Sequence, residues 1–421
     1  MSSGHTLSVR AAIFITLNIM LGTGVFINTV LLTQKAGPWS VFLYLMGGAL
    51  MLPLIMSFAQ LTKVHSGTDF YSFGSSLSPY IGFISTWGYF MSKLSTASLG
   101  LFVFSSFVQK TIPALATIPT LGLALTVLTL FSCLNLLGTR LGSIIQTVFL
   151  TTKLFPLLGA IILAFTYFEP FYIPPVQEFL PKLPVALPLV LFCFLGFEAT
   201  CSLSRIIENP RKNASRVILL SFALLLTLTT LYQLFFYGVL GGVLETQENY
   251  LTAFPLLIAK TLPSATHFLP NLFSLAVATS AMGGAYGVLY SNMWNLYSLA
   301  DHGHLPFSSL FTQLNRFHIP FMCVAAEALA CCIYLFSTQG SQIPLQYIST
   351  LGCLITYTVG IASLFQLTQS VLSMAGLVSC SIALWICIKG FIATSLTPLF
   401  GFGLILCVGT LLFRPAKSHS H

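Results

Sequence analysis

The chain has 421 residues, of which 56% are hydrophobic and only 6% charged. Ordinary soluble domains are roughly one-quarter charged, so a soluble protein with a large core is excluded, and the solvent that fits this composition is a lipid bilayer. The net charge of +8 does not indicate a nucleic-acid partner, because the basic residues are scattered and no cluster exceeds Arg211-Lys212. All ten cysteines fall in apolar stretches, without a CxxC pair or a histidine at zinc spacing. They read as small hydrophobes of a membrane interior, and no metal or cofactor is expected.

Met1 to Arg10 is polar and too short for a signal peptide, so the first apolar stretch is expected to remain as a span. Apolar stretches follow at approximately 11–33, 39–61, 80–108, 118–137, 141–167 and 184–204. Six more lie at 215–240, 269–299, 320–337, 345–367, 371–388 and 391–413. The expected fold is therefore an all-α integral membrane protein of about twelve transmembrane helices. It forms one polytopic unit over 1–413, with a short tail at 414–421.

Twelve spans put both termini on one side. That face would carry Arg10, Lys63, Arg140, Arg205, Arg211, Lys212, Arg216, Arg316, Arg414 and Lys417. The opposite face would carry Lys35, Lys110, Lys182, Lys260 and Lys389, with the acids Glu169, Glu178, Glu245 and Glu248. Ten basic residues against five place both termini in the cytoplasm.

Glycines interrupt the first and sixth spans, in Asn18-Ile-Met-Leu-Gly22-Thr23-Gly24-Val25-Phe26 and Phe192-Cys193-Phe194-Leu195-Gly196-Phe197-Glu198. Glycine in a membrane helix commonly serves close helix packing. The sharper reading is an unwound segment whose freed backbone groups face a cavity rather than lipid. The N-terminal end of the following half-helix then suits a carboxylate, and the C-terminal end of the preceding half suits an ammonium. The two breaks lie about 173 residues apart, the layout of a five-helix unit repeated with inverted topology over approximately 8–167 and 184–367, with 371–413 as two extra helices.

Four charged residues fall inside spans: Lys93, Lys153, Glu198 and Glu327. Each is expensive in lipid and is a functional candidate. Glu198, where the sixth helix restarts, could carry a proton or could be a structural carboxyl bonded to freed backbone. Lys153 sits too deep to snorkel, and could titrate or act as a fixed cation. Lys93 and Glu327 could pair with neighbours or snorkel. His302 and His304 lie in a polar loop without the partners a metal site needs, and the tail Ser418-His-Ser-His421 reads as a solvated end.

Gly22-Thr23-Gly24-Val25-Phe26 resembles the G-[ST]-G-[IV]-F signature of the first helix of the amino acid–polyamine–organocation superfamily. Phe194-Leu-Gly196-Phe197-Glu198, with Glu208-Asn209-Pro210-Arg211-Lys212-Asn213, resembles its F-x-G-x-E…E-N-P-x-R-N pattern, with Lys212 at the usual arginine. Lys153, after Gln146-Thr-Val-Phe, is similar to a fifth-helix lysine common in that family. Asp301-His-Gly303-His-Leu305-Pro306, with Asn315 and Pro320, is similar to its loop after the eighth helix.

The resemblance implies a LeuT-like fold of five plus five inverted helices and two C-terminal ones. It also implies an amino acid substrate carried by alternating access, with the lipid bilayer as surroundings and a bacterial inner membrane as location. Carried over by position, the carboxylate would meet the backbone of Gly22, Thr23, Gly24 and Val25. The amine would meet carbonyls near Ile19 and near Phe192, Cys193, Phe194, Leu195 and Gly196. Lys153 would stand in for a sodium site, leaving coupling to protons, with Glu198 as the other candidate, or to exchange. Phe192 falls where some exchangers of cationic substrates carry an aromatic gate, and no acid other than Glu198 borders the expected pocket. Neutral or apolar side chains are therefore expected, with a cationic amino acid or polyamine exchanger, or a non-transporting sensor, as alternatives. An intramembrane enzyme would need paired aspartates or a zinc motif, which the spans lack, and a channel would need a filter-like repeat.

Overall fold

A computed structural model describes residues 7–65, 70–204, 207–247, 253–266 and 269–415. Arg205, Glu248, Lys417 and the tail 418–421 lie outside the described residues. The chain is all-helical; among the described residues the only β pairings are the isolated bridges Leu7–Ile207 and Leu314–Pro320. In chain order the helices are α1 (Val9–Met20), α2 (Thr23–Ala36), α3 (Ser40–Val64), α4 (Phe70–Ser75), α5 (Pro79–Thr111) and α6 (Thr120–Asn135). They continue as α7 (Thr139–Thr166), α8 (Val176–Phe179), α9 (Leu183–Phe194), α10 (Ala199–Ser202), α11 (Pro210–Leu240) and α12 (Ala253–Thr261). The last are α13 (Leu269–Asp301), α14 (Ser308–Phe311), α15 (Phe321–Thr338), α16 (Gln342–Thr368), α17 (Val371–Thr394) and α18 (Thr397–Leu412).

Eight helical segments are long and apolar enough to cross a membrane, the first of them, Val9–Val64, running through two passes. Thr120–Asn135 and Thr397–Leu412 are shorter apolar helices. With Leu269–Asp301 these account for the twelve expected stretches among the described residues. Helix is the state such sequences must adopt, since lipid offers the backbone no partner and helices bond their own N–H and C=O groups. Serines start several of them: Ser8 accepts from Ala11 N (3.3 Å), Ser78 from Ile81 N (3.1 Å) and Ser370 from Ser373 N (3.2 Å). Large apolar side chains on the outer faces, such as Phe155, Leu329 and Leu411, are exposed, as expected where lipid rather than water surrounds the bundle.

The loop residues collect at two ends. At one, the Trp39 ring stacks on Phe179 at 5.2 Å and donates to Pro174 O (3.0 Å), while Lys260 lies 3.7 Å from Glu169. At the other, Glu208 N donates to Leu7 O (3.0 Å) and Asn315 Nδ2 to Leu136 O (2.8 Å). The loop helices α4 and α12 are additions to the elements expected from hydropathy; at six and nine residues they are too short to cross a bilayer.

The long α5 runs through the middle of the bundle, packed on α13, α16 and α15. Both interrupted passes lie at the heart of the molecule: α1 continues into α2, and α9 into α10, each through a short non-helical turn.

Candidate site between two broken helices

The first break is short. Leu21 ends α1 with φ −75° and ψ 51°, and Gly22 is extended (φ −81°, ψ −151°) before α2 begins at Thr23. The turn frees carbonyls that no helical N–H can reach, and side chains from two other passes meet them. Lys153 Nζ, fully buried on α7, donates to Leu21 O (2.8 Å), Asn18 O (2.9 Å) and Ser280 O (3.4 Å). Ser280 Oγ on α13 donates to Leu21 O as well (2.9 Å). Asn18 donates to Gly283 O (3.0 Å) and to Gln146 Oε1. A Cβ at Gly283 would sit 2.8 Å from Asn18 Oδ1 and 3.1 Å from Lys153 Nζ, so the ammonium has room only because that position is glycine.

The second break is wider and of opposite polarity. Leu195 is extended (φ −71°, ψ 143°), and Gly196 has φ +125°, a conformation that L side chains rarely adopt. A carboxylate, rather than an ammonium, closes this turn: Glu198 Oε2 accepts the Gly196 N–H at 2.7 Å. Its other oxygen, Oε1, accepts from Tyr89 OH (3.1 Å) and pairs with Lys93 Nζ (3.1 Å), both on α5. Glu198 and Lys93 are both buried, so the pair is shielded from water and lipid alike. Lys93 thus pairs rather than snorkels.

The two broken passes are also tied directly to each other. Thr16 and Thr200 share a hydroxyl bond of 2.9 Å between α1 and α10. Asn28 on α2 donates to Leu189 O (2.8 Å) and to Cys193 Sγ (3.4 Å), and accepts from Gln346 on α16 (3.0 Å).

Between the breaks lies a cavity of about 20 Å³, walled by Ile19, Met20, Gly22 and Gly24 of the first pass and by Phe192, Cys193 and Leu195 of the sixth. Lys93 and Thr96 of α5 complete it. That is room for roughly one water, so this conformation is closed around the site. Of the residues expected to bind substrate, Ile19, Gly22, Gly24, Phe192, Cys193 and Leu195 line the cavity. Phe194 turns away onto Tyr44 and Phe222, and Val25 is buried in the surrounding core. Gly196 packs against Ile19 and Met20. Thr23 is the first residue of α2. Lys153 and Glu198 belong to different breaks and do not meet.

Hydropathy and motif reading left out Ser280, Tyr89 and Asn28. All three are buried polar groups inside apolar passes, and that isolation is the signal by which they could be found. His304, read as part of a polar loop, is buried; Tyr71 OH lies 2.5 Å from its Nε2, and its Nδ1 donates to Arg414 O (2.9 Å).

A family model described as amino acid permease matches residues 7–419. The chain belongs to the amino acid permease family. Its relatives include the DL-alanine permease of Lactococcus lactis, 24% identical over 77% of this chain and 72% of that protein. The aromatic amino acid transport protein of Salmonella typhimurium is 21% identical over 76% of this chain and 72% of its own length. The L-lysine transport protein of Corynebacterium glutamicum is 28% identical over 59% of this chain and 52% of that protein. This permease therefore has transporters of chemically different amino acids among its relatives, and its family does not by itself fix the side chain it carries.

Proposed function

We propose that this permease is a secondary transporter that moves amino acids with neutral or apolar side chains across the membrane by alternating access. Sodium is not required, and coupling is to protons or by exchange. The substrate's α-carboxylate binds the N-terminal end of α2 at Gly22 to Val25, where backbone N–H groups lack helical partners. Its α-amine binds carbonyls at the C-terminal ends of α1 and α9, near Ile19 and Phe192 to Leu195. The observation that carries this reading is the cavity that both breaks line. Movement of the two half-helix pairs against the rest would expose it alternately to the two sides, in two inverted five-pass repeats with α17 and α18 outside them. Both termini would face the cytoplasm.

Lys153 supports sodium independence, because its ammonium already bridges carbonyls of the first and eighth passes, Asn18, Leu21 and Ser280. Lys93 supports the side-chain class. It is the charged residue that lines the cavity, and its charge is matched by Glu198, so the wall offers no unpaired charge for a cationic or an acidic side chain to seek. A cationic substrate is the competing reading, favoured by the name of the lysine-transporting relative.

The test is a thermal-shift screen of the purified protein against the standard amino acids and polyamines, followed by uptake of the hits into proteoliposomes with and without sodium. Saturable, sodium-independent uptake of neutral amino acids supports the reading. A preference for arginine, lysine or agmatine, or binding without flux, overturns it.

A further inference from the structure

Three of the four charges buried in the passes have partners: Lys93 and Glu198 hold each other, and Lys153 holds three carbonyls. The fourth does not. Glu327 on α15 is 1% exposed, and neither carboxyl oxygen has a hydrogen-bond partner. An unpaired carboxylate in a bilayer interior is strongly disfavoured, whereas the neutral acid is tolerated.

Glu327 is not on the lipid face, where it could reach a headgroup. It shares the inner face of α15 with Cys323 and Cys331, one turn to either side, and that face is clamped to α5 by Tyr334 OH on Met91 O (3.1 Å) and Cys331 Sγ on Leu94 O (3.8 Å). The third pass is therefore flanked by two acids. Tyr89 and Lys93 serve Glu198 on one side, and Met91 and Leu94 face the helix of Glu327 on the other.

The titratable groups that face Glu327 are Cys323 and Cys331 of its own helix. From α13 it is faced by the amide of Asn292, which falls short of hydrogen-bond geometry. From α5 the groups that meet α15 are the backbone carbonyls of Met91 and Leu94 and the hydroxyl of Ser98. Asn292 is also the first link of a buried polar chain. Its Nδ2 donates to Phe90 O (2.9 Å), and its Oδ1 accepts from Asn295 Nδ2 (2.9 Å). Asn295 Oδ1 in turn accepts from Ser202 Oγ (3.2 Å) on α10, the restarting half of the sixth pass.

We propose that Glu327 is a proton-binding site, protonated in this closed conformation and deprotonated when α10 moves and the Ser202–Asn295–Asn292 chain rearranges around it. The ligand is a proton, and the carboxyl sits outside the substrate cavity, so it binds its proton without competing with the amino acid. In this conformation neither oxygen is within hydrogen-bond geometry of a partner, so the carboxyl can take one up when its surroundings rearrange.

Two experiments test it. The first is labelling of the wild-type protein in liposomes with dicyclohexylcarbodiimide, which reacts with protonated carboxyls within membranes, followed by peptide mass spectrometry. Glu327 should be modified about tenfold more than the ion-paired Glu198. An unmodified Glu327 overturns the proposal. This measurement needs no substrate, so it reads out even if the proposed transport function fails.

The second uses Glu327→Gln and Glu327→Asp in proteoliposomes, with folding checked by thermal unfolding. Counter-exchange of the amino acid found in the screen should stay within about twofold in Glu327→Gln, while accumulation driven by a pH gradient falls about tenfold, and Glu327→Asp should restore it. Wild-type proton-driven accumulation in Glu327→Gln, or equal loss of both activities in a folded protein, makes the residue structural and contradicts the proposal.

Discussion

The two helix breaks meet the same physical demand with opposite charges. At the first, the chain turns at Leu21 and Gly22 and is left with carbonyls, so a lysine from another pass supplies the donor. At the second, the chain turns at Leu195 and Gly196 and is left with an N–H, so a glutamate three residues past the start of the turn supplies the acceptor. The difference follows from the peptide dipole: a break that presents C=O groups attracts a cation, and one that presents N–H groups attracts an anion. The consequences for movement differ too. Lys153 is held by neutral backbone alone, whereas Glu198 is matched by a second charge, Lys93, that also lines the cavity. The first break is clamped to two other passes through Lys153 and Ser280; the second is held by an ion pair that borders the cavity.

The sharpest way to break this comparison is to remove each charge. Lys153→Ala leaves the Asn18 and Leu21 carbonyls without their ammonium donor in a buried site. It should cost about 3 kcal/mol or more and reduce uptake about 100-fold, read by thermal unfolding and flux together. Sodium-dependent stabilisation of that variant, absent in the wild type, would show that the ammonium occupies a cation site. Next in size is the pair. Lys93→Met alone leaves an uncompensated carboxylate and should cost about 3 kcal/mol, whereas Lys93→Met with Glu198→Gln should cost clearly less than the sum of the single changes. Additive costs would mean that the pair carries no coupling. The single variant should also lose discrimination against lysine and arginine in competition assays, because Glu198 is then left without its cation.

Smaller effects separate conformation from charge. Gly196→Ala places a side chain at φ +125° and about 3 Å from Met20, and should cost roughly 2 kcal/mol, with uptake falling in step with stability. Thr16→Val removes one hydroxyl bond between α1 and α10, and should cost about 1 kcal/mol while leaving substrate affinity unchanged. A large affinity change there would mean that the two half-helices communicate through Thr16 and Thr200 rather than through the backbone.

Much of this was legible in the residues. Twelve apolar stretches correspond to the helical passes, and the glycines mark both interruptions. The first break is nonetheless shifted. Gly-Thr-Gly suggests unwinding across 22–24, yet only Leu21 and Gly22 leave the helix, and Thr23 and Gly24 are already in α2. Gly24 has a steric purpose instead: a Cβ there would press on the Phe192 ring and Cys193 Sγ at 3.0–3.1 Å, closing the cavity. Lys93 is the clearest example of what local pattern omits. Its partner Glu198 is far away in sequence, and the rotation of α5 that aims one at the other is set by packing against α13 and α16, not by α5 alone. The buried His304 was hidden for the same reason, since its cover comes from Tyr71 and the backbone of Arg414.

The central claim is that the two breaks read the α-carboxylate and α-amine of one amino acid. The most direct measurement is competition in proteoliposomes against the labelled amino acid with the highest uptake, using its α-amide, its N-acetyl derivative and its decarboxylated amine. The account predicts that all three compete at least about 100-fold more weakly than the parent, because each leaves one break's buried polar groups unpaired. A decarboxylated amine that competes as well as the parent would contradict it.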